Sequence, residues 1–475
     1  MSLPRLWAFL AVALPALGAL IASLPSVDLA YHLRAGGEIL ATGTIPSVDN
    51  WTFTATGTPW TDQQWGAQVI LAAVYRAGGW TGLVLLRSIL VALIFGCILE
   101  IGRRRGLGLR LSAWLALAAF IVSAAALGLR PQLFGMALFA VVLILATDRR
   151  AHPRLLWAIP VIVLVWANVH GSFFLAPLAL GLAWLEDLHD RVERPHLPLL
   201  VALVAIGTAC VTPFGPAVWA YAVGLSINPE VTQRITEWQP TSLRDVPGSL
   251  FFASTFAVVA LIARRGRPTP WPTLAWLSVF FLIGAYAARG IAWWPLGAAA
   301  AMAGILAADI AEGTAPVEGS APRLIRGLNA IVAGAVVLAG VALLPSWRPV
   351  DPGLDAPQGV LADAPSGITA SLRGLARPGD RLLNPQRWGS WFEFAVSETL
   401  VAIDSRIELF PVPVWDAYDR VTTGREGWEA QLAGWKVTMA VVTAEDQALL
   451  GRLSSIGWKA VYVDAEGSIL VAPDR

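Results

Sequence analysis

The sequence predicts an α-helical polytopic membrane protein of about eleven transmembrane helices, followed by an α/β domain outside the cytoplasm. Three observations predict it. Of the 475 residues, 56% are apolar and only 14% charged, with a mean hydropathy of +0.62, against roughly 25% charged in a soluble domain, which excludes a soluble enzyme. The apolar residues fall into long runs separated by short arginine-bearing loops, the pattern of repeated bilayer crossing. Charge density rises sharply after Pro345, where residues 346–475 hold 29 of the 67 charged side chains.

The membrane helices are expected near residues 5–25, 80–101, 111–128, 131–147, 154–170, 171–187, 197–212, 248–263, 271–287, 290–310 and 327–345. The first run has the Arg5-then-apolar order of a secretory signal peptide. It is read as an uncleaved helix, because the loop after it carries the most distinctive residues of the chain. Cys97 and Cys210, the only two cysteines, both lie inside apolar runs and read as small buried hydrophobes rather than a disulfide framework. A formal net charge of +1 offers no basic surface for nucleic acid.

Arginine sets the orientation. With a cytoplasmic N-terminus, one side of the membrane carries fifteen arginines, among them Arg103, Arg104, Arg105, Arg149, Arg150, Arg265 and Arg323, and the other side six, including Arg34, Arg130 and Arg289. That is a positive-inside asymmetry. An odd helix count then places the first loop, residues 26–79, and the C-terminal domain, residues 346–475, outside the cytoplasm. The domain organisation read from this is a membrane domain over 1–345, including the loop 26–79, and an α/β domain over 346–475. In the latter, RLLN, TLVAID, TMAVVT and AVYVD read as strands, and WEAQLAGW and EDQALLGRLSSIG as amphipathic helices.

The first outer loop is the place where chemistry concentrates. It is long, and its tryptophans and tyrosines are too many for a disordered segment. AYHLRAGGEIL and DQQWGAQVILAAVYRAG have helical spacing and are expected to lie along the membrane surface, aromatic faces down. Asp28 follows the first helix directly, and Asp49 and Asp62 follow in turns. With His32, Trp60 and Trp65 they suit a site that stacks a sugar on aromatic faces and takes a proton from an attacking hydroxyl, or that holds a divalent metal (Mg or Mn) at Asp28. Equally, Asp28 could cap its helix, and Asp49 and Asp62 could make Asx turns.

Arg130 in GLRPQLF and Arg289 in AARGIAWW stand at outward helix ends, where a guanidinium either grips a lipid-linked phosphate or snorkels. Asn168 and His170 in WANVHGSF mark a break between apolar runs, expensive enough in a membrane to suggest a substrate contact, or else a satisfied turn. Glu237 in ITEWQP lies in a second long outer loop, 213–247. In the C-terminal domain, Asn384, Trp388, Asp404, Arg406 and Glu408 sit near expected strand ends, either as ligand contacts or as salt bridges that close the domain. No phosphate-binding Gly-rich loop with a lysine, HExxH, paired CxxC or GxSxG occurs, so nucleotide hydrolysis and zinc-peptidase chemistry are not supported.

The N-terminal half of the chain resembles the GT-C membrane glycosyltransferases, the superfamily of the protein O-mannosyltransferases and the lipid A aminoarabinose transferases; the resemblance covers most of the chain and is concentrated in residues 26–80. The residues that carry the resemblance are Asp28 straight after the first helix, the helix YHLRAGGEIL, Ile45-Pro46, the aromatic turn, Gly57-Thr58-Pro59-Trp60 and Asp62. Together with LRPQLF, NVHGSF, EWQP and IDSRIEL, they are similar to a set of uncharacterised bacterial members of that superfamily. The chain departs from the pattern at Leu29, where many members have a second acid, and at Gln63-Gln64-Trp65, where they have Pro-Pro.

The resemblance implies a multi-pass protein of the bacterial cytoplasmic (inner) membrane. It would transfer a sugar, with inversion, from a polyprenyl-phosphate donor to a lipid, glycan or protein acceptor outside the cytoplasm. Asp28 would be the catalytic base or the metal-associated carboxylate, Asp62 a second acidic site residue, and Arg130 or Arg289 would neutralise the leaving phosphate. Two other functions share these features: a flippase for a lipid-linked saccharide, for which no internal repeat is seen, and a non-catalytic envelope assembly factor acting through residues 346–475.

Overall fold

Helices dominate the first three quarters of the chain because its apolar runs are long and their prolines, Pro15 apart, fall in the first turn of a helix, where a missing N–H costs nothing. The computed structural model describes residues 1–228, 232, 234–310 and 323–475. Among the described residues, eight helices are long and apolar enough to cross a membrane: Leu3–Ile21, Trp65–Arg104, Leu109–Ala126, Pro131–Asp148, Gly171–His189, Val246–Ala263, Ala288–Ile310 and Leu324–Ala342. Three shorter apolar helices, Pro153–Ala167, Leu197–Thr208 and Trp271–Tyr286, occupy the other three positions at which crossings were expected. At 1.5 Å rise per residue these three fall short of a ~30 Å core. Part of the expected loop 213–247 is helical, Ala217–Ile227. Its residues 229–231 and 233, and the expected loop 311–322, lie outside the described residues.

The chain divides into two compact units. The first comprises Met1–Ala22, Val84–Ile227 and Thr232–Leu344 and is the helical membrane unit. In it Leu3–Ile21 packs on Leu109–Ser123 and on Arg323–Ala342, and the chain's N-terminus donates to the carbonyl of Arg326 at 2.7 Å. Its two ends differ in charge chemistry. The end at Asp148 carries the ion pairs Arg104–Asp148 (2.7 Å), Arg149–Asp187 (2.7 Å) and Arg150–Asp190 (2.7 Å). The opposite end of the same Pro131–Asp148 helix begins at Arg130.

The second unit joins Ser23–Leu83 with Pro345–Arg475. The boundary at Pro345 coincides with the rise in charge. The loop 26–79, expected to belong with the membrane helices, instead packs with the C-terminal domain. Five strands form its sheet in the order Leu400–Val401, Arg381–Leu383, Met439–Thr443, Gly467–Val471, Lys459–Val463; the first three are parallel and Gly467–Val471 is antiparallel to both neighbours. Residues 51–53 add to the free edge: Val401 N donates to Trp51 O at 3.1 Å and Phe53 N to Val401 O at 3.0 Å. Leu24–Pro25 pairs in parallel with Leu361–Ala362, and the Ser26–Thr42 helix packs on Gln386–Ala395.

Both helices expected in the loop are present, Ser26–Thr42 and the first part of Trp65–Arg104. Their aromatic residues do not form a common outward face. Tyr75 and Trp80 meet Phe394 at ring distances of 5.7 and 6.0 Å, and Trp80 also meets Trp391 at 6.2 Å. The long helix breaks at Gly79, whose φ of 56° and ψ of −151° lie where a side-chain-bearing residue is strained. That break lets one continuous apolar sequence serve both units.

Candidate functional site

In the second unit the site grows from one face of the Ser26–Thr42 helix. Asp28 lies in its first turn and His32 one turn later, so the two side chains share a face. The N-cap position is Pro25, with no side-chain cap, so Asp28 does not take the capping role. It stands where the helix N-terminus favours negative charge. Asp28 is half-buried, and His32 beneath it is 2% exposed.

Gly36, a turn further on, sits against the backbone of Gln68: a Cβ there would come within 2.0 Å of the Gln68 carbonyl oxygen. This close approach brings the second helix to the first. The Gln68 amide nitrogen then donates to Asp62 Oδ1 at 2.7 Å and stands 3.4 Å from His32 Nδ1. Asp62 is 3% exposed and its Oδ2 has no hydrogen-bond partner. Burial pushes its carboxyl up to about 7, against the lowering effects of the Gln68 bond and the Arg406 charge.

Beside this group lies a buried ionic node that accounts for Asp49 and Trp60 differently from the sequence expectation of substrate contacts. Asp49 is 1% exposed and fully engaged. Its Oδ1 accepts from Trp51 N at 3.3 Å and from Arg406 Nη2 at 2.7 Å, and its Oδ2 from Thr52 N at 3.1 Å and Thr52 Oγ1 at 2.6 Å. Arg406 also donates through Nε to Asp404 at 2.9 Å, and its guanidinium lies between the rings of Trp51 and Trp60, 4.4 and 4.6 Å from their centroids. Trp60 is thus a wall of the cation's pocket rather than a sugar platform. Glu393 approaches Arg406 to 3.6 Å. Burial, and then the charge of Asp404, hold its carboxyl well above the usual range. Asn384 clasps the neighbouring turn, donating to Ile403 O at 2.9 Å and accepting from Ala402 N at 2.8 Å. Trp65 begins its helix and is half-buried.

In the membrane unit, Arg130, Arg289 and Glu237 gather at one end. Arg130 pairs with Glu237. Arg289 stacks on Trp238, 5.3 Å from the ring centroid, and its carbonyl accepts from Gln132 at 3.2 Å. Ala288 N donates to Gln239 O at 2.9 Å, which draws the EWQP segment onto the turn that carries Arg289. Glu237 is therefore the counter-ion of Arg130. Asn168 and His170 make the satisfied turn, the second of the two readings of WANVHGSF. Asn168 donates to Leu164 O at 2.9 Å and Val211 O at 3.2 Å, and His170 caps the turn Gly171–Phe174, accepting from Ser172 N at 3.2 Å. They close the break between two helices, which is how polar groups are tolerated at that depth.

Gln68, Glu393 and the Arg406 sandwich were not read from the sequence. Gln68 has no motif signal. The i,i+4 pair Arg34–Glu38 (3.2 Å), which holds Trp51 Nε1 at 2.9 Å, was visible in spacing alone. Among the described residues no group of three or more His, Cys, Asp or Glu is arranged to hold a metal ion.

No family model and no curated protein matches the sequence. Solved structures do match. The archaeal oligosaccharyltransferase AglB from Archaeoglobus fulgidus, solved with an inhibitory peptide and a dolichol-phosphate, aligns over 93% of this chain and 69% of its own, with a TM-score of 0.58 at 11% identity. The apo form of the Archaeoglobus fulgidus oligosaccharyltransferase aligns over 92% and 70%, with a TM-score of 0.51 at 11% identity. The chain shares its fold with these oligosaccharyltransferases over nearly its whole length, and at this identity the likeness is one of fold alone.

Proposed function

We propose that this GT-C protein is a membrane glycosyltransferase that moves a sugar, with inversion, from a polyprenyl-phosphate donor to a hydroxyl or amine outside the cytoplasm. The observation that carries the reading is the GT-C fold over 93% of the chain. The neighbour's dolichol-phosphate supports a lipid-linked donor here. Asp28, half-buried at a helix start, is the carboxylate able to meet an acceptor and take its proton, which makes it the candidate base. Asp62, buried and held by Gln68, is a positioning residue that sets the field around His32. Arg130 and Arg289 are the candidates for the donor phosphate in the membrane unit, since guanidiniums at helix starts suit an anion.

Mg or Mn typically takes one or two protein carboxylates plus phosphate oxygens of the substrate. Asp28 fits that pattern, whereas the enclosed Asp49 and Asp62 do not. The bacterial inner membrane, with the N-terminus cytoplasmic and the sheet domain outside, is the setting the arginine asymmetry supports.

The test is full-length protein in nanodiscs incubated with radiolabelled polyprenyl-phosphate sugars, wild type against Asp28→Asn. Transfer or release of sugar by wild type, lost at least 100-fold in a variant that inserts normally, is the expected result. Equal turnover by both removes the catalytic role of Asp28. Donor bound but never consumed by wild type overturns the enzyme reading.

A further inference from the structure

At the Asp148 end of the membrane unit, four arginines donate to acceptors within the chain. Arg103 and Arg104 bond Glu100, Arg104 bonds Asp148, Arg149 bonds Glu186, Asp187 and two backbone carbonyls, and Arg150 bonds Asp187 and Asp190. Arg105 differs. Among the described residues its guanidinium has no hydrogen bond; the carboxylate it pairs with, Glu186, is 3.9 Å away, and its Nε is buried without a partner. A buried donor left unsatisfied costs about 1–3 kcal/mol, more for a charged group. The side chain is 29% exposed, so its Nη groups are open to an acceptor from outside the chain.

Arg105 lines a cavity of about 140 Å³ between the helices Pro131–Asp148, Leu175–His189, Trp271–Tyr286 and Trp294–Ile310. Its wall is apolar at Leu143, Leu182 and Ile305 and polar at Arg149 and Glu186, and the small residues Ala300 and Gly304 leave the room. A cavity near 150 Å³ has room for a molecule the size of benzene, so the apolar side of this one has room for a short length of hydrocarbon. The ligand it fits is amphiphilic: an anion at the guanidinium and a chain along the wall. Two of the four helices lie within spans able to cross a membrane unaided, Pro131–Asp148 and Gly171–His189, and a third within Ala288–Ile310. The ring of ion pairs at their ends marks the depth of lipid headgroups, where an amphiphile with a phosphate is the surrounding solvent.

We propose that this cavity is a binding site for an anionic phospholipid, with its phosphate on Arg105 and the start of an acyl chain in the apolar pocket. It is separate from the Arg130 and Arg289 cluster, since Arg130 begins the helix whose far end is Asp148. Arginine takes phosphate in a bidentate fork, which would satisfy the donors that Glu186 leaves unused.

The experiment uses the full-length protein in detergent, delipidated and then titrated with short-chain phosphatidylglycerol, phosphatidylcholine or inorganic phosphate, read by native mass spectrometry and by the thermal midpoint. Phosphatidylglycerol is expected to bind and raise the midpoint, and the other two are not. Arg105→Gln should weaken phosphatidylglycerol binding at least tenfold while leaving the lipid-free midpoint in place. Gly304→Leu supplies an independent arm: a Cβ there meets nothing within 4 Å, so the added side chain fills the space instead of clashing, and phosphatidylglycerol binding should fall likewise. If Arg105→Gln fails to fold, Gly304→Leu decides. Unchanged binding in either folded variant, equal binding of phosphatidylcholine, or an equal shift with inorganic phosphate alone overturns the proposal.

Discussion

Asp62 is a carboxyl whose ordinary value of 3.8 rises on folding to about 7, mainly through burial. The folded chain therefore holds that proton more tightly than the unfolded chain, and stability is lost as pH climbs from about 4 to about 7 and is level beyond. Asparagine at this position keeps the shape and removes the titration. Asp62→Asn should accordingly gain on wild type across that window, by up to about 4 kcal/mol, and the gap should stop growing above pH 7. Thermal midpoints of both proteins from pH 4 to 9 check it; a constant difference across the range rejects the raised value. Gln68→Leu should move the wild-type inflection higher, because the amide bond is the larger of the two effects that lower it. Arg406 tests the neighbouring node. Arg406→Gln leaves Asp49 and Asp404 buried without their cation and takes a guanidinium from between two tryptophans. A loss of roughly 3–5 kcal/mol is expected, typical of breaking a buried pair, and is measured as loss of folded protein on extraction and heating.

Helices show why some features were legible in the sequence and others not. The Ser26–Thr42 helix and the strands at 381–383, 400–401, 439–443 and 459–463 were readable, since each has the apolar period of its type. The eleven apolar runs were readable as helices for the same reason. What periodicity does not carry is which buried face meets which partner. Tyr75 and Trp80 present the same pattern whether they face lipid or Phe394, and the structure resolves this in favour of Phe394. Asp49 and Asp62 likewise read as turn residues with free carboxylates, because the arginine and the glutamine that bury them come from 357 and 6 residues away. Gly36 is an element-scale requirement of this kind. Gly36→Ala places a Cβ 2.0 Å from the Gln68 carbonyl oxygen, a backbone atom unable to swing aside, so the two helices must part. Overpacking of this sort costs about 1–3 kcal/mol. The parting also pulls Gln68 from Asp62 and His32, so the Asp62 inflection should move together with the midpoint; a lower midpoint with an unmoved inflection would mean the helices yield elsewhere.

At the scale of the molecule, the assignment of the first loop is what separates the structure from the sequence reading. Composition places the domain boundary at Pro345 and leaves residues 26–79 with the membrane helices, because the loop is short of charge and follows the first apolar run. Its folding partners lie instead in the last quarter of the chain. Trp51 and Phe53 pair with Val401, the Ser26–Thr42 helix rests on Gln386–Ala395, Leu24 pairs with Leu361, and Asp49 is neutralised by Arg406. Each of these closes a loop of more than 300 residues, so none forms until the chain is complete. A protein stopped after Leu344 would keep its apolar helices and their insertion, but its first loop would have an unpaired edge at 51–53 and a carboxylate at Asp49 without its cation. Limited proteolysis of the truncated and full-length proteins in nanodiscs measures the consequence. Cleavage within 44–64 should be at least tenfold faster in the truncated form, with the membrane helices equally protected in both. A loop that stays protected without the sheet would show that its own helices and turns suffice to hold Asp28, His32 and Asp62 in place, and the sheet domain would then be free of any part in shaping the candidate site.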